Sequence, residues 1–210
     1  MKKTFHLILA AAALLLGGTA GAQHLGFHIG YAPENLPAYA FDRQTRTTQG
    51  EMQGIYAGAT YTYDFSQYFG VTAGLNGRYS TRSYQFTYIM VTSQAEERQI
   101  VVDVPVLLHF GLPLSDYARV ALFAGPLVSY AINGSSTFSN TILGEIGTSD
   151  WYTEPALFKK LNLQATFGLS LTAQHFRFFS GYAMGLLNID PRPNTNTTTS
   201  VLYLGLGYTL

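Results

Sequence analysis

His24 and His28 stand four residues apart, the spacing at which a helix would turn both imidazoles toward one metal ion. On a strand the same spacing puts them on one face about 13 Å apart, at roughly 3.3 Å per residue, too far for a shared ion. They read instead as polar residues of a lumen or rim. His109 and His175 fall near short turns, where an interfacial or solvated histidine is the default. Ser180 and His175 are the residue types of a Ser–His hydrolase, but a spacing of five sets them on opposite faces of a strand. No HExxH, Walker loop or GxSxG occurs, and Gly205-Leu206-Gly207 lacks the third glycine and following helix of a dinucleotide site. With no cysteine, thiol catalysis, disulfides and cysteine-ligated zinc are excluded. The expectation is a protein that is not an enzyme, with no catalytic, cofactor-binding or metal-binding residue and no cofactor.

One pair of charges stands out. Arg78 and Asp103 fall on the inward faces of neighbouring strands. An unpaired charge in a closed interior costs several kcal/mol, so each needs a partner. The structural reading is an ion pair filling the lumen, helped by Gln164 or Arg177; the functional one is a gate or selectivity filter. Elsewhere charge is scarce: 11% of residues, with 12 Lys plus Arg against 12 Asp plus Glu. That balance offers no field for a polyanion, so no nucleic-acid partner is expected.

Aromatic residues supply the second candidate site. Residues 132–158 form the longest connection and include Phe138, Ile142, Leu143, Ile146, Trp151 and Tyr152 among Gly, Ser, Thr and Asn. Phe138, Trp151 and Tyr152 are read either as a loop surface for a partner or as a lid, with Trp151 against Tyr84 or Tyr88. Residues 81–97 keep alternating through Tyr84, Phe86 and Tyr88, so the flanking strands are expected to continue as a hairpin. Residues 188–199 are polar and expected to be mobile.

The elements that must hold these residues are strands. Apolar and small or polar residues alternate with period two, as in Leu202, Leu204, Leu206 and Tyr208 against Val201, Tyr203, Gly205 and Gly207. Eight such stretches are predicted, at 24–32, 51–63, 69–80, 98–110, 118–131, 159–172, 176–187 and 200–210. Their connections alternate: 33–50, 81–97, 132–158 and 188–199 are long, whereas 64–68, 111–117 and 173–175 are short. An even strand count with one set of short turns is the pattern of an outer-membrane barrel. The fold class is therefore all-β, an eight-stranded antiparallel up-and-down transmembrane β-barrel.

The faces can be assigned as well. Twelve glycines, among them Gly30, Gly58, Gly168 and Gly205, share a face with Arg78, Asp103 and Arg177, as a crowded small-barrel interior requires. The aliphatic rows then face lipid, and Tyr31, Tyr61, Tyr63, Tyr68, Tyr130 and Tyr208 fall at strand ends, where a membrane girdle belongs. A soluble β-sandwich also alternates, with its apolar face turned inward. The first 22 residues weigh against it. Lys2 and Lys3, an apolar run from Phe5 to Leu16, and Ala20-Gly21-Ala22 make a cleaved signal peptide over 1–22, leaving 23–210 as the barrel domain.

The segment Ile100-Val-Val-Asp-Val-Pro-Val-Leu-Leu-His-Phe-Gly-Leu-Pro113 resembles the fourth strand of the PorT-like outer-membrane β-barrel proteins of Bacteroidetes. In those proteins an acidic residue, an aliphatic and a proline precede an aliphatic run. Residues 120–130, 178–189 and the terminal Leu-Gly-Leu-Gly-Tyr-Thr-Leu fit the same family pattern. The final Leu210 departs from it, since such chains usually end in Phe. The resemblance implies a small OmpA/OmpX-type barrel in the outer membrane, in contact with its lipid. The family's named member is linked to type IX secretion. The functional expectation is a structural or interaction protein acting through its extracellular loops, with a cell-envelope or secretion-system protein as partner. Small-solute transport through a pore is the alternative.

Overall fold

A computed structural model describes residues 22–39, 46–47, 51–88, 91–140, 144–153, 155–192 and 195–210. The expected signal peptide lies outside them, apart from Ala22. In chain order the first strands are β1 (Ala22–Tyr31), β2 (Glu34–Asn35), β3 (Ala38–Tyr39), β4 (Arg46–Thr47), β5 (Gln53–Asp64) and β6 (Phe69–Tyr88). They are followed by β7 (Val91–Ser115), β8 (Ala118–Asn140), β9 (Gly144–Asp150), β10 (Leu161–Ala173), β11 (Phe176–Gly185) and β12 (Ser200–Thr209). Strands β1, β5, β6, β7, β8, β10, β11 and β12 pair in that order, all antiparallel. The ring closes where β12 returns to β1, from Gly26 opposite Thr209 to Tyr31 opposite Leu204.

Exposure separates the barrel from the sandwich. Leu108, Ile29 and Ile55 are 64%, 62% and 62% exposed, and Leu75, Leu122 and Leu169 lie on the same outer face. A sandwich would bury such residues in its core; a membrane barrel turns them to hydrocarbon. Inside, glycine makes room for rings. A Cβ on Gly205 would lie 2.4 Å from Tyr56 Oη and 2.5 Å from Phe179 Cζ, whereas one on the outward Gly77 would meet nothing within 4 Å.

Three strands outrun their expected lengths. β6 and β7 continue as a paired hairpin through Thr87 opposite Thr92, and β8 reaches Asn140 instead of ending at 131. The alternation in β8 breaks because Ile100 pairs with Asn133 but Val101 with Ala131, a bulge that leaves Ile132 extra. A bulge shifts the side-chain phase by one. Beyond it Ser136 and Phe138 point inward, where an unbroken alternation would have turned them out. Residues 132–158 are therefore not one loop, since β9 pairs back along β8 from Ser135 opposite Asp150 to Asn140 opposite Gly144.

The expected mobility of 188–199 is also corrected for the described residues 188–192 and 195–199. Ile189, Asp190, Thr197 and Thr199 are buried. Ile189 N–H donates to Thr197 C=O, Lys159 N–H to Ile189 C=O, and Asn162 Nδ2 to Thr199 Oγ1. Among the described residues of this segment, these buried polar groups bond to one another and to neighbouring backbone over the barrel mouth, while Asn196 and Thr198 are exposed.

Candidate functional site

Two groups of charged side chains line the lumen, one toward each end. Nearer the long-loop end, Arg78 on β6 and Asp103 on β7 both point inward, and Arg78 Nε donates to Asp103 Oδ2 at 3.0 Å. Both are almost wholly buried, at 2% and 0% exposure. The same guanidinium donates through Nη1 to Glu34 Oε2. Asp103 accepts two further bonds, from Ser129 Oγ at 2.6 Å and Tyr203 Oη at 3.1 Å. Two carboxylates on one guanidinium need such neutral donors to spread the excess negative charge.

The expected helpers divide. Gln164 belongs to this cluster, with Oε1 3.3 Å from Ser129 Oγ and Nε2 donating to Thr199 Oγ1. Arg177 does not. Its guanidinium lies farther down the barrel, over the rings of Phe123 and Phe179 at 5.9 and 5.7 Å. Glu34 escaped the sequence reading because it belongs to a long connection, not to an alternating strand. It reaches the lumen because β2 pairs with β12 and Glu34 exchanges backbone bonds with Met52. The one available signal was the mismatch of an acidic residue within the apolar, proline-flanked run Pro33-Glu34-Asn35-Leu36-Pro37.

Above this cluster sits a cap. Arg82 Nε donates to Glu97 Oε2 at 2.9 Å, and Tyr84 Oη donates to Glu97 Oε1 at 3.1 Å. Trp151 is 1% exposed, in a cluster with Leu36, Met52, Leu157, Phe158 and Ile189. Its Nε1–H donates to Ser136 Oγ at 2.7 Å. Phe138 is buried with Tyr84 and Ala95. Tyr152 is half-buried, with Oη accepting from Gln99 Nε2 at 2.8 Å. Phe138 and Trp151 are thus inside the cap and are not an exposed contact surface. Trp151 packs on Phe158 at 5.5 Å, not on Tyr84. The turn leading into the cap is tied by Asp150, whose Oδ1 accepts the N–H groups of Tyr152 and Thr153.

At the short-turn end the histidines are placed. His28 Nε2 lies 2.9 Å from Asn76 Oδ1 within the lumen. His109 is not solvated as expected: it is 7% exposed, with Nε2 2.6 Å from Asp64 Oδ1. Inward Thr72 and Gly70 bring this pair together, since a Cβ at Gly70 would lie 2.5 Å from both Asp64 Oδ1 and His109 Nε2. His175 is exposed and stacks on Tyr208. Among the described residues no three His, Asp or Glu side chains converge as a metal site would require.

Residues 24–190 match the family described as outer membrane protein beta-barrel domain. No curated protein matches the chain. Among solved structures, Ail, the attachment invasion locus protein of Yersinia pestis, in complex with the heparin analogue sucrose octasulfate, is similar at 15% identity. That match covers 90% of this chain and 99% of the other, with a TM-score of 0.46. The outer membrane protein OprG of Pseudomonas aeruginosa is similar at 14% identity over 90% of this chain and 97% of that one, with a TM-score of 0.43. A third, described as the outer membrane enzyme PagL, is similar at 12% identity, covering 88% and 98%, with a TM-score of 0.41. The expectation that the chain is not an enzyme is corrected on this last point. An enzyme stands among the similar barrels, and a barrel architecture does not by itself exclude catalysis.

Proposed function

The chain belongs to the outer membrane protein β-barrel domain family, and from that premise we propose that it works by contact, presenting a sheet above the membrane to another envelope protein. The lengths of β6, β7 and β8 carry this reading. They run 20, 25 and 23 residues, where a tilted span needs about 9–11. Roughly half of each strand therefore stands outside the hydrocarbon, and β9 extends the same sheet. Among the described residues β9 pairs with β8 alone, so it forms the edge of the extended sheet, where a further strand can add.

The resemblance of residues 100–113 to PorT-like barrels supports a component of protein secretion as the partner. Transport of small solutes is the weaker reading. Arg78, Glu34 and Asp103 fill the lumen under the cap, and the cavity beside them measures only ≈ 20 Å³. Photo-crosslinking in intact envelopes tests the proposal, with the crosslinker placed at Thr148 on β9 or at lipid-facing Leu122. A discrete protein adduct at 148 and none at 122 is expected. Equal adducts at both sites, or none at either, would overturn the contact reading. Unchanged secretion in a deletion strain that retains the adduct would remove only the choice of partner.

A further inference from the structure

The short-turn end, which in this family faces the periplasm, holds a charge arrangement that the long-loop end does not. A cavity of ≈ 330 Å³ opens there, lined by His24, Asp64, His109, Arg119, His175 and Arg177. Arg119 on β8 stands in register with Thr172 on β10, and Thr172 with Arg177 on β11. The two guanidiniums thus share one row of the barrel wall with a single strand between them, roughly 10 Å apart at the backbone.

Their acceptors are too few. Asp64 is the only carboxylate side chain lining this cavity. Its Oδ1 already takes Arg119 Nη1 at 3.3 Å and lies against His109, and its Oδ2 is 3.8 Å from His24 Nε2. Arg119 Nε and Nη2 and Arg177 Nε are buried with no hydrogen-bond partner. The side chains lining the wall sum to a net positive charge of one before any histidine is protonated. Gly111 seats the Arg119 guanidinium against the wall, since a Cβ there would fall 2.0 Å from Arg119 Nε. Buried guanidinium N–H groups left without acceptors are costly, and the fork geometry of arginine matches the paired oxygens of a carboxylate or phosphate.

We propose that this mouth is a binding site for a small oxyanion, a phosphate or carboxylate group held between Arg119 and Arg177 and entering from the periplasmic end. The cavity has room for roughly ten waters' worth of ligand. The void above it, lined by Phe123, Phe179 and Tyr56, measures ≈ 90 Å³ and admits only a short extension, so a long-chain amphiphile does not fit.

The test uses the whole barrel, folded in maltoside micelles and in phospholipid nanodiscs, titrated with inorganic phosphate and read by the Nε–Hε resonances of arginine. In micelles the Arg119 and Arg177 signals should move saturably. Affinity should fall at least about tenfold in Arg177→Gln and in Arg119→Gln, and stay unchanged in Arg98→Gln, which alters an exposed pair with Glu96. In nanodiscs, the same titration curve identifies a free anion as the ligand. Signals already at the bound position identify a lipid headgroup. No saturable shift in either medium, or undiminished affinity in both glutamine variants, overturns the site. Should Arg119→Gln fail to fold on an unheated gel, Arg119→Lys keeps the charge and loses the fork. Wild-type affinity in that variant also overturns the proposal.

Discussion

In the upper lumen, toward the extracellular loops, Arg78 meets Glu34 and Asp103, and Arg82 meets Glu97. In the lower lumen Arg119 meets Asp64 while Arg177 lies over Phe123 and Phe179, and three nitrogen atoms of the two arginines have no protein acceptor. The wall is the same sheet in both places, so strand geometry does not account for the difference. Water does. The cap of Leu36, Met52, Trp151, Leu157, Phe158 and Ile189 closes the upper end, and an uncompensated charge beneath it would be severely destabilising. The lower end opens into a cavity more than ten times larger than the one under the cap. Where the cap excludes solvent each buried arginine meets a carboxylate and the surplus acid is spread over neutral donors, whereas toward the open end three arginine nitrogens lack a protein acceptor.

The comparison breaks most sharply at Arg78. Replacing it by Met leaves Glu34 and Asp103 as unpaired buried carboxylates, an expected loss of about 3–5 kcal/mol. The midpoint of urea unfolding in bilayers measures it. The double variant Arg78→Met/Asp103→Asn should lose much less than the sum of its single losses. Additive losses would mean the two residues act separately.

Between the halves lies an aromatic layer, in which Tyr203 packs edge-on to Tyr56 at 5.1 Å and Tyr56 lies 6.3 Å from Phe179. Gly205→Ala intrudes on it and should cost about 1–3 kcal/mol by overpacking, while Gly77→Ala on the outer face should cost almost nothing. Equal effects in the same unfolding assay would show that the layer yields freely and does not divide the lumen.

In the lower half, Arg177→Gln should change stability by less than about 1 kcal/mol without added anion, because it removes a donor that has no acceptor. A loss as large as that of Arg78→Met would erase the contrast between the two ends.

The smallest effect concerns the cap's own tether. The Tyr152 backbone N–H, with further donation from Thr153, holds the Asp150 carboxyl below the usual range. A depressed carboxylate contributes stability that is present above its unfolded pKa of about 3.9 and lost as pH falls through the folded value. Trp151, the only tryptophan, reports on the cap. Its emission should hold steady from neutral pH to about 5 and shift only below about 4. A shift already complete at pH 5 would assign the tether to another group.

Much of the barrel is legible in the residues alone. Alternation is local, and a strand with lipid on one face and a crowded lumen on the other must repeat every two residues. That is why the eight strands, their facing and the inward Arg78 and Asp103 could be read from the chain. The glycine rows were readable for the same reason, since a small barrel has no other way to seat Tyr56 and Phe179.

Tertiary structure decided what depends on distance across the ring or on a break in the pattern. The bulge at Ile132 turns Phe138 and Ser136 inward, and no period-two reading carries through a slipped residue. Glu34 becomes the second acid on Arg78 only because the segment after β1 folds back over the mouth. Arg119 and Arg177 are 58 positions apart in the chain, and only the shared pairing of β8 and β11 with β10 sets them in one row. Local hydropathy determines which way each side chain faces. Which charges then meet, and which are left short of an acceptor, follows from ring closure and from where the loops shut water out.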